Sequence, residues 1–351
     1  MDRPGEMSAT VDSAAILTSL LEGRDLSLEQ AGILMSAIMA GDIPPFRLAG
    51  ILTALRAKGE TVAEIAGFAS AMRDGALRIS PVKTGLLDTC GTGGDGSGTF
   101  NISTATALVA ASMGIPVAKH GNRAVSSNCG SADVLEALGV NLDLEPVQVA
   151  RLIDEVGIGF LYAPDLHPAM KHAMPVRREL GVRTVFNVLG PLTNPAGADR
   201  QLLGVFDPNL CEPLCHVLRE LGSKKAFVVH GAGGLDEVSL LGSTTVAALD
   251  DGTVRTFEFL PEQAGLETCR PDDLAGGDPA TNAGMIRAIV QGERGPRTDA
   301  VLLNAGFAAM LGSLAADVRA GVDLARNTIA SGKTADLLDR FAAASQVEVA
   351  P

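Results

Sequence analysis

The sequence predicts an α/β protein in which a small all-helical N-terminal domain precedes a larger domain with a mostly parallel central sheet flanked by helices. Three observations carry this expectation. Residues 11–78 place apolar side chains at three- and four-residue steps and read as helices only. From Pro81 the pattern changes to strand, loop, helix, strand, which is the signature of a largely parallel sheet covered on both faces. The composition, 46% hydrophobic and 20% charged over 351 residues, is that of a globular chain long enough for two domains and a large core.

The elements follow in order. Ala14-Ala15-Ile16-Leu17-Leu20-Leu21 and Ala31-Ile33-Leu34-Ala37-Ile38 mark the first two helices, and Ser27 with Gln30 forms a capping box for the second. Pro44-Pro45 breaks the chain, and a third helix is expected from about Phe46 to Ala57. Thr61 with Glu64 opens a fourth that ends near Gly75. Leu86–Thr89 is expected as a strand, Ser103–Met113 as a helix stopped by Gly114, and Pro116–Ala118 as the next strand. Ser131 is expected to cap a short helix closed by Gly139. Val147–Val156 reads as a helix and Ile158–Leu161 as a strand. His167–Pro191 interrupts the rhythm with helical segments that start or kink at Pro168 and Pro175, and it is expected to pack back on the N-terminal helices. The expected domains are therefore 1–80, joined by helices from about 167–190, and 81–166 with 191–351. Strands Leu202–Phe206 and Ala226–His230 enclose a helix at 209–221. Thr244–Phe259 reads as a hairpin turning at Asp251-Gly252, and Ala/Leu-rich helices run from Asn282 to the end.

Charge and composition exclude several classes of partner. A net charge of −13 argues against duplex nucleic acid and anionic membranes, and 3% aromatic residues argue against a base-stacking surface. The longest apolar run, Ala105–Ala118, is too short to cross a bilayer and holds Gly114 and Pro116. The N-terminus has no basic stretch followed by an apolar core, so a cytoplasmic protein is expected. Five thinly spread cysteines do not form a disulfide framework, and Cys211 and Cys215 beside His216 lack a second ligand pair for zinc.

The chemistry concentrates in Leu87–Gly139. Gly91-Thr92-Gly93-Gly94-Asp95-Gly96-Ser97-Gly98-Thr99 lies between a strand and a helix and matches the dinucleotide fingerprint. That fingerprint also wants an acidic residue about twenty positions on, to hold a ribose. Ser112–His120 has none and offers Lys119 instead. Glycines with Thr92, Ser97 and Thr99 supply N–H and O–H donors for phosphate, while Asp95 calls for a metal between it and that phosphate. A second loop, Lys119–Ser127, clusters Lys119, His120 and Arg123 with Gly121, Asn122, Ser126 and Ser127, next to Ser131. Two such loops on adjacent strands converge at the carboxyl edge of a sheet. Asp236-Glu237, after Gly231-Ala232-Gly233-Gly234, suits a hard divalent cation, and Arg177-Arg178 could form a fork for a carboxylate. Ser331-Gly332-Lys333-Thr334 is a decoy: a P-loop requires Gly where Asn327 stands.

Read together, DTCGTGGDGSGTFNIST, KHGNRAVSSNCGSADVLEALG, HPAMKHAMPVRRELGVRTVFNVLGPLTNP and VVHGAGGLDE closely resemble the anthranilate phosphoribosyltransferase family of tryptophan biosynthesis. The resemblance runs along nearly the whole chain. It implies transfer of phosphoribose from phosphoribosyl pyrophosphate (PRPP) to anthranilate with Mg²⁺, a pair of ions per subunit, in a homodimer formed through the helical domain. By position it implies that Gly91, Gly94, Asp95, Thr99, Asn101, Ile102, Ser103, Thr104, Lys119, His120, Gly121, Asn122, Arg123, Ala124, Val125, Ser126, Ser127 and Ser131 surround PRPP. Ser103, Asp236 and Glu237 are implied as metal contacts, and Gly91, Asn122 and Arg177 as anthranilate contacts. Lys119 is the expected electrostatic stabiliser and His120 the candidate for steering or proton removal. Ser127-Asn128-Cys129 departs from the smaller turn common in the family. Two rivals remain at this stage. A pyrimidine nucleoside phosphorylase shares the scaffold but expects a Lys-His-Ser-Thr-Gly-Gly loop where this chain has Asp88–Gly94. A non-catalytic nucleotide-binding paralogue would not need the acidic pair, the lysine and the arginine together.

Overall fold

The computed structural model describes residues 11–124 and 128–347. The chain begins with α1 (Ser13–Leu21), α2 (Leu28–Ala40), α3 (Pro45–Lys58) and α4 (Val62–Asp74). Then come β1 (Leu87–Gly91), α5 (Ile102–Ser112), β2 (Val117–Gly121), α6 (Ser131–Ala137), α7 (Pro146–Glu155) and β3 (Ile158–Tyr162). Three short helices follow, α8 (Ala163–Leu166), α9 (Met174–Leu180) and α10 (Phe186–Leu189). The sheet is completed by β4 (Arg200–Gly204), α11 (Cys211–Glu220), β5 (Lys225–Gly231), β6 (Thr244–Asp250) and β7 (Thr253–Phe259). Helices α12 (Pro279–Val290), α13 (Pro296–Leu311), α14 (Val318–Ala330) and α15 (Lys333–Ser345) close the chain. Two compact units result. One holds the described residues up to Gly75 with Pro168–Leu189, the other Ala76–His167 with Gly190 onward.

In the first unit both capping boxes form. Ser27 Oγ accepts from the Gln30 N–H at 3.2 Å while Gln30 Oε1 accepts from Ser27 at 2.9 Å. The Thr61 box does more. Glu64 is fully buried, and its carboxylate accepts from the N–H groups of Thr61 and Leu26 and from Lys58 Nζ, each at 2.8–2.9 Å. A carboxylate buried this deeply is tolerated because it is paired with Lys58 and accepts two further backbone hydrogen bonds. Helices α9 and α10 pack against α3 and α4.

The second unit is a seven-stranded sheet in the order β3-β2-β1-β4-β5-β6-β7. The first five strands run parallel, and β6 and β7 pair antiparallel at one edge. Side chains alternate between the two faces. Leu87, Val117, Phe160, Leu202 and Phe227 enter one large core with α5 and α13, and Ala118 and Leu161 enter a second cluster with α7. Asp251 (φ 42°) and Gly252 (φ 83°) make the hairpin turn with two consecutive positive φ angles, as a type I′ turn requires.

Several boundaries differ from the sequence expectation. Strand β2 does not stop at Ala118. Lys119, His120 and Gly121 pair with Phe160, Leu161 and Tyr162, so the polar Lys119 and His120 belong to a buried parallel ladder that ends at Gly121 and not to a loop. Ser131 is the first helical residue of α6 rather than its cap. Gly130 precedes the helix, and its N–H donates to Asp133 at 2.8 Å. Strand β4 ends at Gly204, where the chain near Asp236 crosses it, and not at Phe206. Helix α12 starts at Pro279, capped by Asp278, whose carboxylate accepts from the Thr281 N–H at 2.7 Å.

Candidate active site

Parallel pairing brings the carboxyl ends of β1, β2, β4 and β5 to one edge, and the strand order reverses at β1. The two central strands are not equally zipped. β1 pairs with β4 at five positions but with β2 only at Leu87↔Val117. Beyond that pair the two strands splay. The buried Asp88 carboxylate accepts the His120 N–H at 3.1 Å, and Asn194 Nδ2 donates to Asp88 and to the Ala118 carbonyl at 2.8 Å each. Asp88 and Asn194 thus hold open a crevice without leaving buried backbone unpaired. Burial raises the Asp88 pKa to about 6.

Lys119 and Thr89 lie on the α5 face of the sheet. Lys119 is 2% exposed; its ammonium donates to the Thr89 carbonyl and lies 3.3 Å from Ser103 Oγ. Burial pushes its pKa down, against the opposing charges of Asp88, Glu237 and Asp236. Ser103, in the first turn of α5, donates its N–H to Glu237 Oε1 at 3.0 Å. The Gly93 N–H donates to Asp236 Oδ2 at 2.8 Å. In the glycine loop, Gly93 (φ 64°) and Gly94 (φ 71°) take consecutive left-handed conformations, and the Asp95 carboxylate accepts from the Ser97 N–H at 3.2 Å. Thr99 pairs with Ala275, Ile102 and Thr104 are buried, and Asn101 Nδ2 donates to the Cys129 carbonyl at 3.1 Å.

The acidic pair is electrostatically frustrated. Asp236 is raised to about 7 by burial and then by the charge of Asp95; Glu237 is raised to about 8 by burial and then by Asp236. Among the described residues no three His, Cys, Asp or Glu side chains form a ready metal cage. Mg²⁺ does not need one, since it commonly takes one or two carboxylates and fills its shell with water and phosphate oxygens. Asp236, Glu237 and the Ser103 hydroxyl are all hard oxygen donors, and two carboxylates short of positive charge fit that ion. Without metal, burial and mutual repulsion favour protons on this pair in the folded protein more than in the unfolded chain, so stability falls as pH rises above the ordinary carboxylate range. The Asp236→Asn, Glu237→Gln protein is expected to lose that decline. Urea midpoints taken from pH 5 to 8 in chelator check it, and equal slopes in the two proteins would contradict it.

The remaining sequence candidates are placed as follows. His120 lies on the opposite sheet face from Lys119, its ring 5.3 Å from that of His167. Burial pushes its pKa down to about 3, so the ring is neutral. Arg123 is engaged by Asp133 and Glu136 on α6 and lies 5.6 Å from the Tyr162 ring centroid. Asn122 Oδ1 accepts from the Arg123 N–H at 2.7 Å, and the Ala124 N–H donates to Asp133 at 2.9 Å. Val125, Ser126 and Ser127 lie outside the described residues. Arg177 belongs to the first unit, where its guanidinium lies 5.0 Å from the Phe186 ring centroid.

Sequence reasoning missed Gly204, Asp88, Asn194 and Asn282. A Cβ on Gly204 would stand 1.6 Å from the Asp236 carbonyl oxygen, and one on Gly91 would stand 2.3 Å from Asp236 Oδ2. The acidic turn is seated on these two strand ends because neither carries a side chain. Gly204 falls inside the expected strand Leu202–Phe206, and the residue it seats, Asp236, is about thirty positions later, so no local signal marked it.

Comparison with known proteins agrees along the chain. The family described as "Glycosyl transferase family, a/b domain" matches residues 83–335, and "Glycosyl transferase family, helical bundle domain" matches residues 14–76. Anthranilate phosphoribosyltransferase of Symbiobacterium thermophilum is 53% identical over 327 residues, covering 93% of this chain and 96% of that protein. The enzyme of the same name from Bradyrhizobium sp. is 49% identical, covering 95% and 99%. The crystal structure of the Thermus thermophilus enzyme superposes with a TM-score of 0.90 at 47% identity, covering 95% of this chain and 99% of that one. The Saccharomyces cerevisiae enzyme in complex with PRPP and Mg gives 0.87 at 29% identity, covering 97% and 99%.

Proposed function

The chain belongs to the anthranilate phosphoribosyltransferase family, and from that premise we infer that it transfers the phosphoribosyl group of PRPP to the amine of anthranilate in tryptophan biosynthesis. The products are N-(5-phosphoribosyl)-anthranilate and pyrophosphate. One observation carries this reading: Lys119, Ser103, Asp236, Glu237 and the glycine loop meet at the carboxyl edge of β1, β2 and β4. Relatives' structures with PRPP and Mg, and with 4-fluoroanthranilate, support the same substrates here.

The C–N bond forms as the C–O bond to pyrophosphate breaks, with oxocarbenium character on the ribose and negative charge growing on the leaving group. Lys119 and the N–H groups of the glycine loop stabilise that charge from fixed positions. Bound Mg²⁺ supplies further charge neutralisation, and Asp236, Glu237 and Ser103 would hold it, as a pair of ions per subunit. The aromatic amine becomes acidic once the new bond forms, so no strong protein base is required. Alignment of the two substrates supplies much of the rate. Arg177 is proposed to hold the anthranilate carboxylate. Burial lowers the Arg177 pKa, and a buried guanidinium gains from a carboxylate partner. Arg177→Ala is expected to raise the KM for anthranilate by about tenfold or more, with a smaller change for PRPP. Equal changes in both would place Arg177 elsewhere.

We also propose a homodimer through the helical unit, which exposes Leu21, Leu28, Ile33 and Phe46, the last 95% exposed. No helix among the described residues is long and apolar enough to cross a membrane; a cytoplasmic location is proposed on the family's biosynthetic role. Loss of anthranilate fluorescence on adding PRPP and Mg²⁺ to pure protein tests the activity. No turnover would favour a non-catalytic paralogue, and phosphorolysis of thymidine or uridine would favour the phosphorylase.

A further inference from the structure

Helix α12 is apolar on its buried side, with Ala283, Ile286, Ile289 and Val290 in the core, but Asn282 is buried there as well at 1% exposure. A buried primary amide has to be hydrogen-bonded. Asn282 Oδ1 accepts from the Gly277 N–H at 2.7 Å, and its Nδ2 donates to Asn101 Oδ1 at 2.9 Å. Asn101 Nδ2 in turn donates to the Cys129 carbonyl at 3.1 Å. The chain of bonds starts at a backbone N–H and ends at a backbone carbonyl. Those ends have a fixed sense, so neither amide can flip without setting donor against donor or oxygen against oxygen.

Asn101 stands between the glycine loop and α5, and Cys129 lies just before α6, so the chain spans both loops. The same downstream segment also grips the glycine loop through its backbone. The Phe100 N–H donates to the Leu274 carbonyl at 3.1 Å, and the Gly276 N–H donates to the Gly98 carbonyl at 2.9 Å. We propose that Asn282 is a positioning residue for the transfer reaction: it fixes the direction in which the Asn101 amide presents its remaining hydrogen and lone pair to PRPP. An amide has two hydrogens and two lone pairs on its polar atoms; the bonds to Asn282 and Cys129 use one of each and orient the rest. This inference rests on the PRPP reading of the site.

Asn282→Asp tests it with almost no change in shape. The new carboxylate still accepts from Gly277, but its second oxygen faces Asn101 Oδ1. Asn101 must then flip and turn its oxygen toward the Cys129 carbonyl, or leave its place. The KM for PRPP is expected to rise by about tenfold, the value of one well-placed polar contact, while the KM for anthranilate stays within about twofold. Asn282→Ser, too short to reach Asn101, is expected to do the same if the aspartate variant folds poorly. Combined with Asn101→Ala, either variant should add little further effect on the PRPP KM, since Asn282 acts through Asn101. Additive effects, or a lowered melting temperature with the two KM values unchanged, would assign Asn282 a structural role only and overturn the proposal. A wild-type protein without transfer activity would instead sink the PRPP reading, so the two failures are distinguishable.

Discussion

Gly204→Ala is expected to lower kcat/KM by about 100-fold, the scale of a misplacement of about 1 Å in a catalytic group. The added Cβ would stand 1.6 Å from the Asp236 carbonyl oxygen, 2.3 Å from its carbonyl carbon and 3.0 Å from its Cα. All three are backbone atoms, so no side-chain rotation relieves the overlap and the acidic turn has to move. Its movement carries Asp236 off the Gly93 N–H and Glu237 off the Ser103 N–H. The loss should appear in kcat and in the Mg²⁺ concentration needed for half-maximal rate. Gly91→Ala meets the end of the Asp236 carboxylate instead, which can rotate, so a smaller loss is expected there. Steady-state rates across a Mg²⁺ titration check both. A Gly204→Ala enzyme with normal kinetics would show that the seat of the acidic turn does not govern the metal.

Asp236→Asn with Glu237→Gln is expected to cut turnover by about 10³-fold, equal to roughly 4 kcal/mol of lost transition-state stabilisation. The same double variant should be more stable than the parent in chelator at pH 8. Its amides keep the shape of the turn but no longer crowd negative charge beside Asp95, the charge that helps hold Asp236 near 7. Lower activity with higher metal-free stability separates a functional strain from a folding defect. Activity within about twofold of the parent would remove both residues from the metal site, because metal ligands do not give effects that small.

Local chemistry made much of the fold legible. The Ser27 and Thr61 capping boxes, the Asp251-Gly252 turn and the strand–helix alternation from Pro81 each depend on residues a few positions apart. Where the determinant was distant in sequence, legibility failed. Lys119 and His120 look like loop residues until the β3 ladder is seen to bury them. Their placement on opposite faces nevertheless follows from strand alternation alone, once β2 is known to reach Gly121. Asp278-Pro279 is a standard helix start, but it lay outside the apolar periodicity used to locate α12. Gly204 and Asn282 could not be read locally. One matters for a chain segment about thirty residues later, the other for an amide 181 positions earlier.

The most direct test is an anomalous difference map from crystals grown with PRPP and with Mn²⁺ in place of Mg²⁺. Manganese is expected on the carboxylates of Asp236 and Glu237, with the PRPP pyrophosphate between the glycine loop and Lys119. A metal peak away from both carboxylates, or PRPP bound outside the carboxyl edge of β1 and β2, would contradict the assignment of this edge as the phosphoribosyl site.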